Sequence, residues 1–139
     1  IQLRIYLDNA ATSWPKPESV YRAVDRAQRE WGVAAGRGVS REAGEIARML
    51  QTTRAAISGI INGGAAERIA FCQNGTAACN TALLGMLQPG DHVITTQTEH
   101  NSILRPLEYL KQARDVAVTI VPCDARGWCD PAAFAAAWQ

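Results

Sequence analysis

The 139-residue chain contains few of the residues that mark special classes of protein, with four cysteines, two histidines and two lysines. The cysteines show neither the CxxC spacing of a zinc site nor the density of a disulfide scaffold, so we expect no metal site and mostly buried, reduced thiols. No apolar run approaches the roughly 20 residues of a membrane helix, and the first residues lack the features of a signal peptide. A cytoplasmic protein without a membrane segment is therefore expected. The cysteines are Cys72, Cys79, Cys123 and Cys129.

Charge of either sign is also scarce. The chain has 14 basic and 13 acidic residues, a formal net charge of +1, and no block of like charge. Such a balance offers no electrostatic footprint for nucleic acid or for an anionic membrane. With 47% hydrophobic and 19% charged residues, the composition is that of a globular domain. We expect its partner to be a small molecule or another subunit.

The first part of the chain predicts a short strand over residues 5–7, a polar loop and two helices. The first helix follows Pro17, carries an apolar stripe at steps of three and four residues, and ends near Gly32. Ser40 is expected to cap the second helix, which the run Asn62-Gly63-Gly64 ends. The stripe of the first helix consists of Val20, Val24, Ala27 and Trp31.

The rest of the chain alternates between predicted strands and helices, which indicates parallel strands joined by helical crossovers. The fold class is therefore predicted to be α/β, with N-terminal helices followed by the start of a mostly parallel, helix-flanked sheet. Pro106 is placed in the first turn of its helix, because an interior proline costs about 3 kcal/mol. Predicted strands cover 68–72, 92–96 and 116–122, and predicted helices cover 76–87, the segment up to about 114, and a further segment from about 130.

Two polar segments could carry chemistry. Asn74-Gly75-Thr76 opens a helix, where either Asn74 or Thr76 could simply cap the helix, or Gly75, Thr76 and the following amides could bind phosphate. The turn matches neither the Walker pattern nor GxGxxG, which disfavours a nucleotide. His100 follows the end of a strand in a polar loop, where a functional and a structural role are both open. His92 opens that strand, and we expect packing or a strand-end hydrogen bond there.

Taken together, these segments resemble the N-terminal part of the cysteine desulfurase branch of the class V aminotransferases, which are fold type I pyridoxal-phosphate enzymes. The resemblance extends over nearly the whole chain and is specific only when its motifs are combined. It divides the chain into an N-terminal segment, 1–40, and the first part of a cofactor-binding large domain, 41–139. Its motifs are Tyr6-Leu7-Asp8-Asn9-Ala10-Ala11-Thr12, Gly36-Arg37-Gly38, Asn74-Gly75-Thr76 with Asn80, Pro89-Gly90-Asp91-His92-Val93-Ile94 and Glu99-His100-Asn101-Ser102.

The resemblance implies a role for individual residues. Thr76 and the amide of Gly75 would bind the phosphate of pyridoxal 5'-phosphate (PLP), and His100 would stack on its ring and could transfer a proton. The implied substrate-binding residues are Asn9, Ala10, Ala11 and Arg37, the last at a substrate carboxylate or at a dimer interface. Ala77 departs from the family pattern, because many relatives carry an acidic residue there.

The same resemblance implies a homodimeric, PLP-dependent cysteine desulfurase, which converts L-cysteine or a related amino acid into L-alanine and an enzyme persulfide. A sulfur-acceptor protein could then take the sulfur. The family's cofactor-bearing lysine, the aspartate at the pyridine nitrogen and the sulfur-accepting cysteine are expected beyond residue 139, so the chain alone is expected to be an inactive part. The open alternatives are a selenocysteine lyase, an aminotransferase, an epimerase and a non-catalytic α/β ligand-binding fragment.

Overall fold

The computed structural model describes residues 5–36 and 38–138, which form two compact units, one ending at Ala70 and one beginning at Phe71. Helices and a two-stranded parallel sheet confirm the predicted α/β class. Among the described residues, no helix is long and apolar enough to cross a membrane. The elements are α1 (Glu18–Glu30), α2 (Arg41–Ile61), a 3-10 turn (Ala66–Arg68), α3 (Gly75–Met86), β1 (His92–Thr96), α4 (Asn101–Ala113), β2 (Ala117–Val121) and α5 (Pro131–Ala137).

Helix α2 begins and ends at the residues that the sequence predicts. The hydroxyl of Ser40 accepts a hydrogen bond from the backbone N–H of Ala43, which satisfies one of the free donors at the helix start. Hydrogen bonds from the backbone N–H of Glu42 and from the Ser40 hydroxyl to the Glu42 carboxylate hold the pKa of Glu42 below its ordinary value. At the other end, Asn62 has a φ of 54°, the left-handed conformation that stops a helix.

The apolar stripe of α1 does not form a core. Val20 and Val24 are 39% and 52% exposed, and none of the described residues of α1 is buried. Ion pairs at i,i+4 spacing run along the helix, such as Arg22 with Glu18 (3.2 Å). Exposed pairs of this kind contribute about 0.3–0.5 kcal/mol each. The helix is thus present as predicted, but its apolar face is only partly covered within the described part of the chain, since Ala27 and Trp31 are half-buried.

The sheet pairs β1 with β2 in parallel, and α4 forms the crossover between them. The N–H of Gly90 donates to the carbonyl of Asp115 (2.9 Å) just before the strands. Just after them, the N–H of Gln97 donates to the carbonyl of Val121 (3.0 Å). The pairing is therefore fixed at both ends of the sheet.

One face of this sheet packs against α3 and α4. Leu107, Leu110 and Val116 are buried at the centre of this core. On the sheet's other face, Nε2 of His92 lies 2.8 Å from the Thr119 hydroxyl, which confirms the structural role predicted for this histidine. The partly buried residues packed against the core are Leu83, Leu84, Leu87, Val93, Ile103 and Val118.

Two predicted strands are absent from the described structure. Residues 5–7 form no strand, and the hydroxyl of Tyr6 lies 2.8 Å from the carbonyl of Asp8. Of the predicted strand 68–72, Arg68 ends the 3-10 turn and residues 69–72 follow it without entering the sheet, and the carbonyl of Ile69 accepts from Nε of Arg54 instead (3.0 Å). An apolar run becomes a strand only when another strand satisfies its backbone groups, and neither segment has such a neighbour among the described residues.

The prediction for Pro106 is also wrong. Helix α4 begins at Asn101, so Pro106 lies in its second turn instead of its first. Because proline has no N–H, the carbonyl of Ser102 loses the donor that the residue four positions later would supply. Pro106 is buried, and its packing offsets part of this loss.

The expectation of reduced, buried cysteines is wrong for most of them. Cys123 and Cys129 form a disulfide, because the turn between them brings their Cα atoms to 4.4 Å in an antiparallel bridge. The N–H of Asp124 donates to the carbonyl of Trp128 within this turn (2.9 Å). The two free thiols are the exposed Cys72 and the partly buried Cys79.

Leu110 has no exposed surface, so replacing it tests the core. We expect Leu110→Ala to lower the free energy of unfolding by about 3 kcal/mol, because it leaves a cavity between α4 and the sheet. Urea unfolding followed by circular dichroism measures the loss. Met86→Ala is the control, since Met86 is 76% exposed, and its effect should stay within about 0.5 kcal/mol. Equal losses for the two variants would contradict the position of this core.

Candidate functional site

The turn before α3 leaves two backbone donors open. Asn74 is the N-cap, and its Oδ1 accepts from the N–H of Ala77 over 2.8 Å. Of the two caps that the sequence leaves open, the structure thus uses Asn74. The N–H groups of Gly75 and Thr76 have no acceptor among the described residues. Two donors at the positive end of a helix therefore remain for a ligand.

The side chains around this helix start leave space for a ligand. Thr76 is exposed, and its hydroxyl makes no hydrogen bond to any described residue. One turn further on, Nδ2 of Asn80 donates to the Thr76 carbonyl (2.9 Å). Apart from Asn74, Thr76 and the local backbone of the helix, no described atom lies within 4 Å of the position that a Cβ would take at Gly75. A ligand can therefore approach the backbone closely here.

His100 is the N-cap of α4, which the sequence does not predict. Its Nδ1 accepts a hydrogen bond from the backbone N–H of Ser102 over 3.1 Å, and the Ser102 hydroxyl lies 3.0 Å from the same atom. A ring nitrogen that accepts carries no proton, so the neutral imidazole holds its proton on Nε2. No hydrogen bond from the described residues uses this Nε2. The cap thus sets the tautomer of the ring and leaves one N–H available.

Thr76 and His100 line one cleft of about 550 Å³ between α3 and α4. The first residues of both helices face it, so two positive helix ends meet there. The lining contains no carboxylate, and Arg105 is its one permanently charged side chain. Such a cleft suits an anionic ligand. Its lining residues are Thr76, Asn80, Leu84, His100, Asn101, Ser102, Arg105, Pro106 and Tyr109.

The implied substrate residues lie elsewhere in the chain. Asn9, Ala10 and Ala11 form a tight turn in the first unit, where the N–H of Ala11 donates to the carbonyl of Asp8 (3.3 Å). Oδ1 of Asn9 accepts from the N–H of Trp14 (3.2 Å), so this side chain supports its own turn. Arg37 lies outside the described residues. The substrate roles of these four residues remain predictions.

Sequence reasoning missed Arg105 and Tyr109 as residues of the cleft. Both lie on α4 at steps of four from Asn101, and this spacing places all three on one helix face. Extending the predicted helix from His100 along that face would have identified them. Neither of the two lysines lines the cleft. Nζ of Lys16 donates to the carbonyl of Ser13 (2.8 Å) in the first unit, and Lys111 lies on an exposed part of α4.

Comparison with known proteins identifies the family of this chain. The family model for class-V aminotransferases matches residues 5–138, and the chain belongs to that family. A cysteine desulfurase from Pectobacterium carotovorum is 30% identical over 131 residues, which are 91% of this chain and 32% of the relative. A selenocysteine lyase from Xenopus tropicalis is 33% identical over 137 residues, covering 86% of this chain and 31% of the relative.

Similarity extends to solved structures. The apo structure of a cysteine desulfurase from Thermococcus onnurineus superimposes with a TM-score of 0.80 and 28% identity, covering 93% of this chain and 32% of that one. The chain thus spans about a third of the length of the relatives that it matches. The residues that line the cleft lie within the segment that the family model matches.

Replacing the N-cap of α3 tests how the cleft is built. We expect Asn74→Ala to lower the free energy of unfolding by about 1 kcal/mol, because the N–H of Ala77 loses its acceptor. Asn74→Asp keeps an acceptor oxygen at the same place and should retain most of the stability. Urea unfolding of the three proteins measures the difference. Equal losses for the alanine and aspartate variants would contradict the cap.

Proposed function

We propose that this chain is the cofactor-binding N-terminal part of a PLP-dependent cysteine desulfurase. The observation that carries the proposal is the single cleft that holds both Thr76, at the open start of α3, and His100, with its free Nε2–H. Membership of the class-V family and the similarity to cysteine desulfurases support it.

The residues of the cleft fit the groups of PLP. A phosphate dianion needs several donors and positive charge, and the open amides of Gly75 and Thr76 with the Thr76 hydroxyl supply donors at a positive helix end. An aromatic ring needs a flat partner, which the imidazole of His100 offers. When bound, PLP supplies an electron sink for the α-carbon of an amino acid. The chain's part in the reaction is to hold and orient that group.

His100 is proposed to do more than hold the ring. The hydrogen bond from Ser102 to Nδ1 fixes the orientation of the imidazole and keeps a proton on the outward Nε2. A donor fixed in this way can hydrogen-bond to a substrate atom beside it, and proton transfer would proceed from the imidazolium form, because the N–H of a neutral imidazole is too weak an acid. Asn80 contributes indirectly, because its bond to the Thr76 carbonyl fixes the first turn of α3.

In the overall reaction proposed for the whole enzyme, a protein thiol accepts the sulfur of the substrate. L-cysteine loses its sulfur as the carbon–sulfur bond breaks, the carbon gains hydrogen to give L-alanine, and the thiol becomes a persulfide. A sulfur-acceptor protein would then discharge the persulfide. We propose a homodimer for the whole enzyme, on the strength of the family resemblance, and the cytoplasmic location stays a prediction. We do not assign this sulfur-accepting thiol to any of the four cysteines of the chain.

Product analysis tests the reaction. We expect the full-length protein, with PLP and a thiol reductant, to release sulfide and L-alanine from L-cysteine in equal amounts, as measured by methylene blue and amino-acid analysis. Residues 1–139 alone should release neither, because no described lysine of the chain lines the cleft. Release from L-selenocysteine but not L-cysteine would contradict the desulfurase and favour the lyase. Failure of the full-length protein to bind PLP would favour the non-catalytic alternative.

Replacing His100 tests the proposed ring contact. We expect His100→Ala to weaken PLP binding by about tenfold and to shift the cofactor's absorption and circular dichroism, because the ring loses its partner. His100→Phe keeps a flat partner but no proton, so it should retain the spectrum while lowering turnover. Titration of the apo-protein and steady-state kinetics measure the two effects. An unchanged spectrum and turnover in His100→Ala would contradict both roles.

A further inference from the structure

Arg105 places a positive charge in the cleft that the family motifs leave unassigned. It lies in the second turn of α4, and its side chain is exposed to the space between α3 and α4. The other lining residues carry uncharged side chains, apart from His100, whose Nδ1 accepts from the N–H of Ser102. Arg105 is therefore the only fixed counter-charge that the described lining offers to an anion.

No carboxylate among the described residues neutralises this charge. Arginines elsewhere do pair along their helices, as Arg29 does with Asp25 (2.8 Å) and Arg41 with Glu45 (3.1 Å). The nearest acid along α4 is Glu108, whose Oε1 accepts from Gln112 instead. The guanidinium thus keeps all its donors for groups outside the described chain.

The position of Arg105 on α4 directs its side chain toward the start of the helix. The Cβ atoms of a helix tilt toward its N-terminus, so the Arg105 side chain leaves the helix toward the end that His100 caps. Arg105 therefore lines the cleft on the side of the helix starts, where the open backbone donors would hold an anion.

We propose that Arg105 is a phosphate-binding residue of the cofactor cleft. The inference rests on the proposed function and deepens it, since it names the residue that supplies the positive charge. The donors at the start of α3 are neutral and cannot supply it. The amides of Gly75 and Thr76 supply hydrogen bonds, and the planar guanidinium supplies two parallel donors together with a full positive charge. Arg105 thereby sets the preference of the cleft for the phosphorylated form of the cofactor.

The test compares the phosphorylated and unphosphorylated forms of one ligand. Full-length apo-protein is titrated calorimetrically with PLP and with pyridoxal, at low and at high salt. We expect Arg105→Gln to weaken PLP binding about tenfold, to change pyridoxal binding less than about twofold, and to lower the salt dependence of PLP binding. Arg105→Lys should restore part of the loss, because it keeps the charge without the fork.

Arg126→Gln is the matched control. Arg126 is also an exposed arginine, but it lies in the turn between Cys123 and Cys129, outside the cleft, so its loss should leave the ratio of PLP to pyridoxal affinity unchanged. A ratio unchanged in Arg105→Gln would overturn the role of Arg105, while a wild-type preference for PLP would leave the proposed function standing. No PLP binding by the wild-type protein would overturn both.

Discussion

Parallel pairing of β1 with β2 is the constraint on which the second unit depends. Parallel strands cannot be joined by a tight turn, so the chain must leave β1 and return through a crossover, which here is α4. The crossover has to begin at the carboxyl end of β1, and its N-cap, His100, therefore lies at that edge. Leu107 and Leu110 hold α4 against the sheet beside α3. The start of α4, which forms one side of the cleft, is thus placed by the topology of the sheet.

Much of this fold could be predicted from local sequence. The predicted bounds of β1 agree with the structure, and the cap residues Ser40 and Asn62 mark both ends of α2. The errors at residues 5–7 and 68–72 share a cause. A helix satisfies its backbone within its own segment, whereas a strand depends on a neighbour elsewhere in the chain. The apolar character of a short segment does not show whether a neighbouring strand is present.

Site prediction depended on a different kind of signal. Thr76 and His100 each stand at a local landmark, a polar turn before a helix and a loop after a strand, and the structure brings them to one cleft. Arg105 and Tyr109 have no such landmark. They face the cleft because of the way in which α4 is oriented about its own axis, which the local sequence does not show. The substrate roles of Asn9 and its neighbours came from the family resemblance alone.

Backbone hydrogen bonds at the two ends of the sheet fix the register between β1 and β2. The N–H of Gly90 donates to the carbonyl of Asp115 and the N–H of Gln97 donates to that of Val121, so β1 cannot shift along β2 without breaking these hydrogen bonds. Slippage by one residue would move β1 by about 3.3 Å and turn His92 and Ile94 toward the helices. The register of the sheet therefore fixes the point at which the chain leaves β1, and with it the position of the His100 ring at the start of α4.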